Sequence, residues 1–291
     1  MKKHFCFITL TGLMTGLIYP VVSQSDTYPK VTISDTEVRT IRSTFVKEME
    51  YHIQVALPPD YKQSNQVYPV VYYTDAFYWG GMVIETYRLL RAFNEIPPLI
   101  LVGISWNPDD KDGYSHRTRD YTPTTVTPEK LSDQLKPFAA VSGGADNFLS
   151  FIEKELIPTI EYNYRVDTSD RGIFGYSRGG LFNAYVLFNK PHLFQKYLLG
   201  APTLDWDNYY VFKENENLVK ANNKLPIKIF SAVGSDDFAD ILKSWIVLRD
   251  HLNASENKKL NFKYMILDGE NHTSAIPAVY SRAFRVLYGR N

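Results

Sequence analysis

"RGIFGYSRGGLFNAYVLF", Arg171 to Phe188, is the stretch on which the fold turns. An apolar, β-prone run from Arg171 to Gly175 meets a helical pattern from Gly180 to Phe188, and Ser177 stands between them with glycine on both sides. In G-x-S-x-G, here Gly175-Tyr176-Ser177-Arg178-Gly179, a serine occupies a tight strand-to-helix turn, and the glycines leave room where side chains would collide. The turn pushes the hydroxyl outward. It also aims the Arg178 amide, at the start of a helix, toward the place where negative charge would develop on a substrate oxygen. A glycine-bracketed serine by itself can simply mark a turn; the strand before it and the helix after it raise the catalytic reading.

Outward from this point the chain alternates β-prone runs with helical patterns, which predicts an α/β fold: a mostly parallel central sheet of about eight strands with helices on both faces. "YHIQVALPPDY" alternates Tyr51, Ile53, Val55 and Leu57 before a Pro-Pro stop, as an antiparallel strand near the sheet edge would. Buried strands are expected at 68–75, 99–105, 171–175, 196–202, 227–234 and 262–269. Helices are expected at 83–93, 146–162, 180–188, 240–252 and 276–287. The stretch from Trp106 to Gly144, rich in Pro, Thr, Asp and Gly, is too long for an ordinary connection and reads as a functional loop.

The 291 residues, 44% apolar and 14% aromatic, suffice for one large core. Lysine plus arginine equals aspartate plus glutamate at 32 each, so no net field draws the chain to nucleic acid or an anionic membrane. "MKK" followed by "FCFITLTGLMTGLIYPVV" reads as a signal peptide over residues 1–23, leaving a single mature domain over 24–291 in the periplasm or outside the cell, with no stable membrane insertion. The single cysteine, Cys6, lies inside that segment, so the mature chain is expected to hold no disulfide and no thiolate metal site.

A serine hydroxyl is a poor nucleophile until a base takes its proton. Of the six histidines, His272 in "LDGENHTSAIP" follows the last expected strand and precedes the last helix, the place where an α/β-hydrolase keeps its base. The acid that orients it should fall between serine and histidine in chain order, and "AVGSDDFAD" offers Asp236, Asp237 and Asp240. The spacing Gly234-x-x-Asp237 favours Asp237, with Asp236 the nearest rival and Asp240 a helix cap. No histidine pair at metal spacing and no phosphate-cradling glycine loop occurs, so neither metal nor organic cofactor is expected.

The chain resembles the putative esterase family of the α/β-hydrolases, a group that includes enterochelin esterases, esterase D, feruloyl and acetylxylan esterase domains and mycolyltransferases. The resemblance rests on "VALPPDY" (55–61), "YPVVYYTDA" (68–76), "VGIS" (102–105), "RTRDYTP" (117–123), "SGGADNFLSFIEKELIPTIEYNYR" (142–165), "GYSRGGLFNAYVLFNKPHLF" (175–194) and "NHTSAIP" (271–277). It implies a triad of Ser177, Asp237 and His272, and a second oxyanion amide from the loop near Ala76 or Phe77. Thr74-Asp75-Ala76 replaces the family's glycine-bearing turn there, and "GAPTLDW" (200–206) replaces its usual "SPSLWW".

Tyr78, Trp79, Trp106, Arg117, Arg119 and Trp206 are candidate substrate contacts, an aromatic and arginine-rich set that suits a sugar, an aryl acid or a catecholate. The alternatives are core packing for the aromatics and internal ion pairs for the arginines. Three functions stay open: hydrolysis of a siderophore or carbohydrate ester, acyl transfer to a sugar alcohol, and non-catalytic binding on the same scaffold.

Overall fold

Strands covered by helices on both faces are apolar at nearly every position rather than at alternate ones. Ile100–Trp106 is buried throughout, and Tyr68–Tyr73 is buried at all but one position. The computed structural model describes residues 32–131, 133, 135–214, 226–255 and 259–290. The expected signal segment, 1–23, lies outside them, and Ser34–Asn291 forms one compact unit.

Eight strands make one sheet: β1 (Thr36–Arg42), β2 (Glu50–Ala56), β3 (Tyr68–Tyr73), β4 (Ile100–Trp106), β5 (Val166–Tyr176), β6 (Lys196–Gly200), β7 (Ile227–Gly234) and β8 (Leu260–Leu267). Their order is β1-β2-β4-β3-β5-β6-β7-β8. The β1/β2 and β2/β4 pairs are antiparallel and all the others parallel, so the expected α/β-hydrolase architecture is present with a mixed start. The strands at the two ends of this order are β1, which the sequence reading omitted, and β8, expected as a buried strand but buried only at Leu267 because it has a partner on one side alone. None of the residues of β1 is buried, so "TEVRTIR" carries no apolar signature, and β2 is the second strand, antiparallel and near the edge as expected.

Helices flank the sheet: α1 (Ala76–Ala92), α2 (Gly113–Tyr121), α3 (Ala145–Phe151), α4 (Ile157–Asn163), α5 (Arg178–Asn189), α6 (Ala239–Asn253) and α7 (Ala275–Tyr288). The single helix expected over 146–162 is broken by a π-helical turn, Ile152–Leu156, just before Pro158, which has no amide to donate. The expected loop between Trp106 and Gly144 contains α2 and two 3₁₀ turns, Pro128–Lys130 and Lys136–Val141. Among the described residues no helix is long and apolar enough to cross a membrane.

Every residue of α5 from Arg178 to Phe188 is buried, as befits a helix wedged between the sheet and its neighbours. Each large apolar side chain there, such as Leu181, Phe182 or Leu187, contributes about 1.5–3 kcal/mol through burial. That burial fixes the position of everything at the helix start. The register aligns Tyr73 with Phe174 and Gly234 with Leu267, so the turns that follow β3, β5, β7 and β8 leave the sheet at the same carboxyl edge.

Candidate active site

Between β5 and α5, Ser177 has φ 59° and ψ −119°, a left-handed conformation that costs a residue with a side chain about 1–3 kcal/mol. Its amide donates to Gly200 O at 2.8 Å, and its carbonyl accepts from Leu181 N at 3.0 Å. The glycines around it are steric necessities. A Cβ on Gly175 would lie 2.3 Å from Gly179 O, and one on Gly179 would lie 2.2 Å from Thr74 Oγ1.

His272 sits on the loop between β8 and α7, half-buried, with its carbonyl accepting the Tyr176 hydroxyl at 2.8 Å. Asn271 steadies the same loop, since its side-chain oxygen accepts from Thr273 N at 2.9 Å and Ser274 N at 3.0 Å. The imidazole Nε2 is 3.0 Å from Ser177 Oγ. Nδ1 faces the Asp237 carboxylate at 2.9 and 3.1 Å. An ionised carboxylate has no proton to give, so Nδ1 is the donor and Nε2 is left to accept from the serine hydroxyl.

Of the three aspartates after β7, the structure turns Asp237 toward the histidine. Its carboxylate is fully buried and also accepts from Phe238 N at 2.7 Å. Asp236 is exposed and accepts from Ser235 Oγ at 3.1 Å, and Asp240 is exposed in the first turn of α6.

The turn after β3 lies against the head of α5: a Cβ on Gly179 would come within 3.3 Å of Asp75 Oδ2 as well as striking Thr74. Asp75 is left-handed, with φ 60° and ψ 29°, and immediately precedes α1. The amides of Ala76 and Phe77 lie in the first turn of that helix, where no intrahelical acceptor exists for them. Arg178, whose own amide opens α5, is buried, donates through Nη1 to Thr118 Oγ1 at 2.7 Å and lies over the Tyr114 ring at 5.1 Å. Burial pulls its guanidinium pKa down from the ordinary value.

This geometry accompanies a clear sequence relationship: the profile of the family described as "Putative esterase" matches residues 46–275. The chain belongs to this esterase family. It is accordingly a carboxylic-ester hydrolase of the serine type. The esterase is 32% identical over 273 residues to ferri-bacillibactin esterase BesA of Bacillus subtilis, across 87% of this chain and 90% of the relative. The crystal structure of the BES protein from Bacillus cereus matches with a TM-score of 0.81 at 29% identity, covering 90% of this chain and 99% of that one. An IroE-like serine hydrolase from Shewanella oneidensis follows at TM-score 0.73 and 28% identity, over 87% of this chain and 80% of that one.

The esterase distributes the expected substrate contacts unequally. Phe77 and Tyr78 are 41% and 48% exposed, and Phe77 stacks on Trp106 at 5.8 Å. Trp106 itself is buried beneath it, and Trp206 is buried with its indole N–H 3.2 Å from Thr124 Oγ1. Trp79 is half-buried and donates to Tyr280 OH at 3.0 Å.

Both arginines take the ion-pair alternative. Arg117 is buried in a two-pronged ion pair with Asp75, at 2.7 and 3.0 Å, and Arg119 holds Asp120 at 2.7 Å. Each guanidinium is committed to a buried carboxylate that would otherwise stand uncompensated; Arg117 is itself buried, whereas the Arg119 side chain stays 25% exposed.

The sequence reading missed Phe238, 67% exposed with its ring 5.4 Å from that of His272, and Tyr114, 38% exposed. Phe238 could have been found from its place immediately after Asp237. Nothing local marks Tyr114.

Proposed function

We propose that the esterase hydrolyses siderophore esters through an acyl-enzyme on Ser177. The observation that carries this reading is the relay from Asp237 through Nδ1 and Nε2 of His272 to Ser177 Oγ, with every link at about hydrogen-bond length. His272 takes the hydroxyl proton as Oγ attacks the ester carbonyl, and Asp237 stabilises the imidazolium that forms. The amides of Arg178 and of Ala76 or Phe77 receive the oxyanion. His272 then returns its proton to the departing alcohol and activates the water that frees the acid.

Substrate class is supported from two directions. Relatives are named as esterases of ferri-bacillibactin and of enterobactin. The exposed ring of Phe238 lies 5.4 Å from that of His272, and the exposed rings of Phe77 and Tyr78 open the helix that follows β3, aromatic surfaces that suit an ester flanked by aryl groups. The basic and apolar segment at 1–23 directs export, so the enzyme meets its substrate in the periplasm or outside the cell.

The test uses purified protein with a catecholate-siderophore ester, an acetylated sugar and p-nitrophenyl acetate. Ser177→Ala should lower kcat by about 10⁴-fold or more on every ester cleaved. Undiminished turnover by a folded Ser177→Ala protein sinks the mechanism, and cleavage of the sugar ester in preference to the siderophore sinks the substrate class. An intact Met1 on protein recovered from the native host refutes export.

A further inference from the structure

Helix α2 has no part in the relay, yet one of its faces touches both segments that supply the oxyanion amides. Tyr114, Arg117, Thr118 and Tyr121 recur at i, i+3, i+4 and i+7, so they share one side of the helix. Arg117 Nε and Nη2 donate to Asp75 Oδ1 and Oδ2 at 2.7 and 3.0 Å. Tyr121 OH accepts the Asp75 amide at 3.1 Å, and the Asp75 carbonyl accepts Tyr78 N at 3.0 Å. Every polar group of this left-handed aspartate is thus engaged, its carbonyl also accepting Trp79 N at 3.3 Å, and both of its partners from outside α1 belong to α2.

The same face holds the head of α5. Thr118 Oγ1 accepts from Arg178 Nη1 at 2.7 Å while donating to Tyr114 O at 3.0 Å, and the Tyr114 ring lies under the Arg178 guanidinium. On its far side α2 is tied to the sheet, where Tyr51 OH of β2 donates to Asp120 Oδ2 at 2.7 Å, and to the start of α3, where Gly144 N donates to Arg119 O at 2.9 Å. The helix is therefore a fixed body in contact with two turns that emerge from adjacent strands.

We propose that α2 is the brace that sets the oxyanion site: Arg117 and Tyr121 position the Ala76–Phe77 amides through Asp75, and Tyr114 and Thr118 position Arg178. This rests on the hydrolytic reading above. A glycine could hold the turn at Asp75 without backbone strain; an aspartate holds it at a cost that its ion pair and amide contact offset. The residues are positioning residues, because none of them touches the reacting atoms.

The experiment measures kcat, KM and inhibition by phenylboronic acid, whose tetrahedral serine adduct presents an oxyanion, for Arg117→Lys and Tyr121→Phe. Lysine keeps the charge of Arg117 but loses its fork; phenylalanine keeps the ring of Tyr121 but loses the acceptor. Arg117→Lys should lower kcat about tenfold and Tyr121→Phe about threefold, with KM within about twofold and boronate affinity falling in parallel with kcat. A packing role alone would lower thermal stability and leave boronate affinity and kcat in place. Wild-type kcat and boronate affinity in either folded variant overturn the brace while Ser177→Ala remains inactive; retained turnover in Ser177→Ala overturns the brace and the hydrolytic reading together. Tyr121→Phe, which removes one hydrogen bond and no volume beyond an oxygen, keeps the test open if Arg117→Lys fails to fold.

Discussion

The hydroxyl of Tyr176 donates at 2.8 Å to the main-chain carbonyl of His272. The residue that precedes the serine therefore holds the loop that carries the base, and the ring of Tyr176 lies 5.3 Å from the imidazole. Burial and the nearby Asp237 and Glu270 carboxylates push the phenol above its ordinary pKa, so it remains a donor at any working pH. Tyr176→Phe should leave the fold intact and reduce kcat about threefold to tenfold, because the loop loses one tether and the Nε2 to Oγ alignment loosens. Steady-state kinetics on p-nitrophenyl acetate decides this; an unchanged kcat means the loop's remaining ties, through Asn271, Glu270 and Gly269, hold it in place without Tyr176.

Asp237 and Asp236 are neighbours in sequence with opposite surroundings. Asp237→Asn should lower kcat by about a thousandfold or more, since an amide stabilises the imidazolium poorly and can present its N–H₂ to Nδ1, favouring the wrong tautomer. Asp236→Asn should change kcat less than about twofold, its carboxylate being exposed and accepting from the Ser235 hydroxyl. Reversal of this ranking in parallel assays would assign the acid to Asp236.

Ser177 stores backbone strain at φ 59°. Glycine occupies that region freely, so Ser177→Gly should be inactive and more stable than the parent by about 1 kcal/mol, after allowance for the looser unfolded chain. Urea unfolding of the two proteins measures the difference. Equal or lower stability of the glycine variant shows that contacts of the serine side chain outweigh the strain.

His251, in the last turn of α6, packs its ring against Phe188 at 5.7 Å and Phe212 at 5.4 Å. Burial lowers its pKa from the ordinary 6.5. The folded chain then holds fewer protons than the unfolded one, so stability is complete above the unfolded pKa and is lost as pH falls through the lowered folded value. The urea midpoint should decline as pH falls below about 6.5, and decline less in His251→Leu, which keeps the apolar contact without the titration. Parallel declines in the two proteins would exclude His251 as the source.

What could be read from the chain was short-range. The glycines around Ser177 report a turn in which a side chain would strike backbone atoms, and that steric demand is written in adjacent residues. The interior strands announce themselves because both their faces are buried, whereas β1, with no buried residue, has no such pattern to show. Helix α1 starts at Ala76 rather than at the expected Val83, since the aromatic run Phe77-Tyr78-Trp79 and the pair Gly80-Gly81 hide the helical period.

Sequence alone determined the α/β class, the elbow at Ser177 and the chain order of serine, aspartate and histidine, because turn sterics and hydrophobic periodicity act between near neighbours. Only the tertiary structure decided that Asp237 rather than Asp236 faces His272, that Arg117 belongs to Asp75 instead of to the rim, and that α2 spans two turns. Those outcomes depend on which distant segments meet at one sheet edge, and on the cost of leaving a buried charge without its partner.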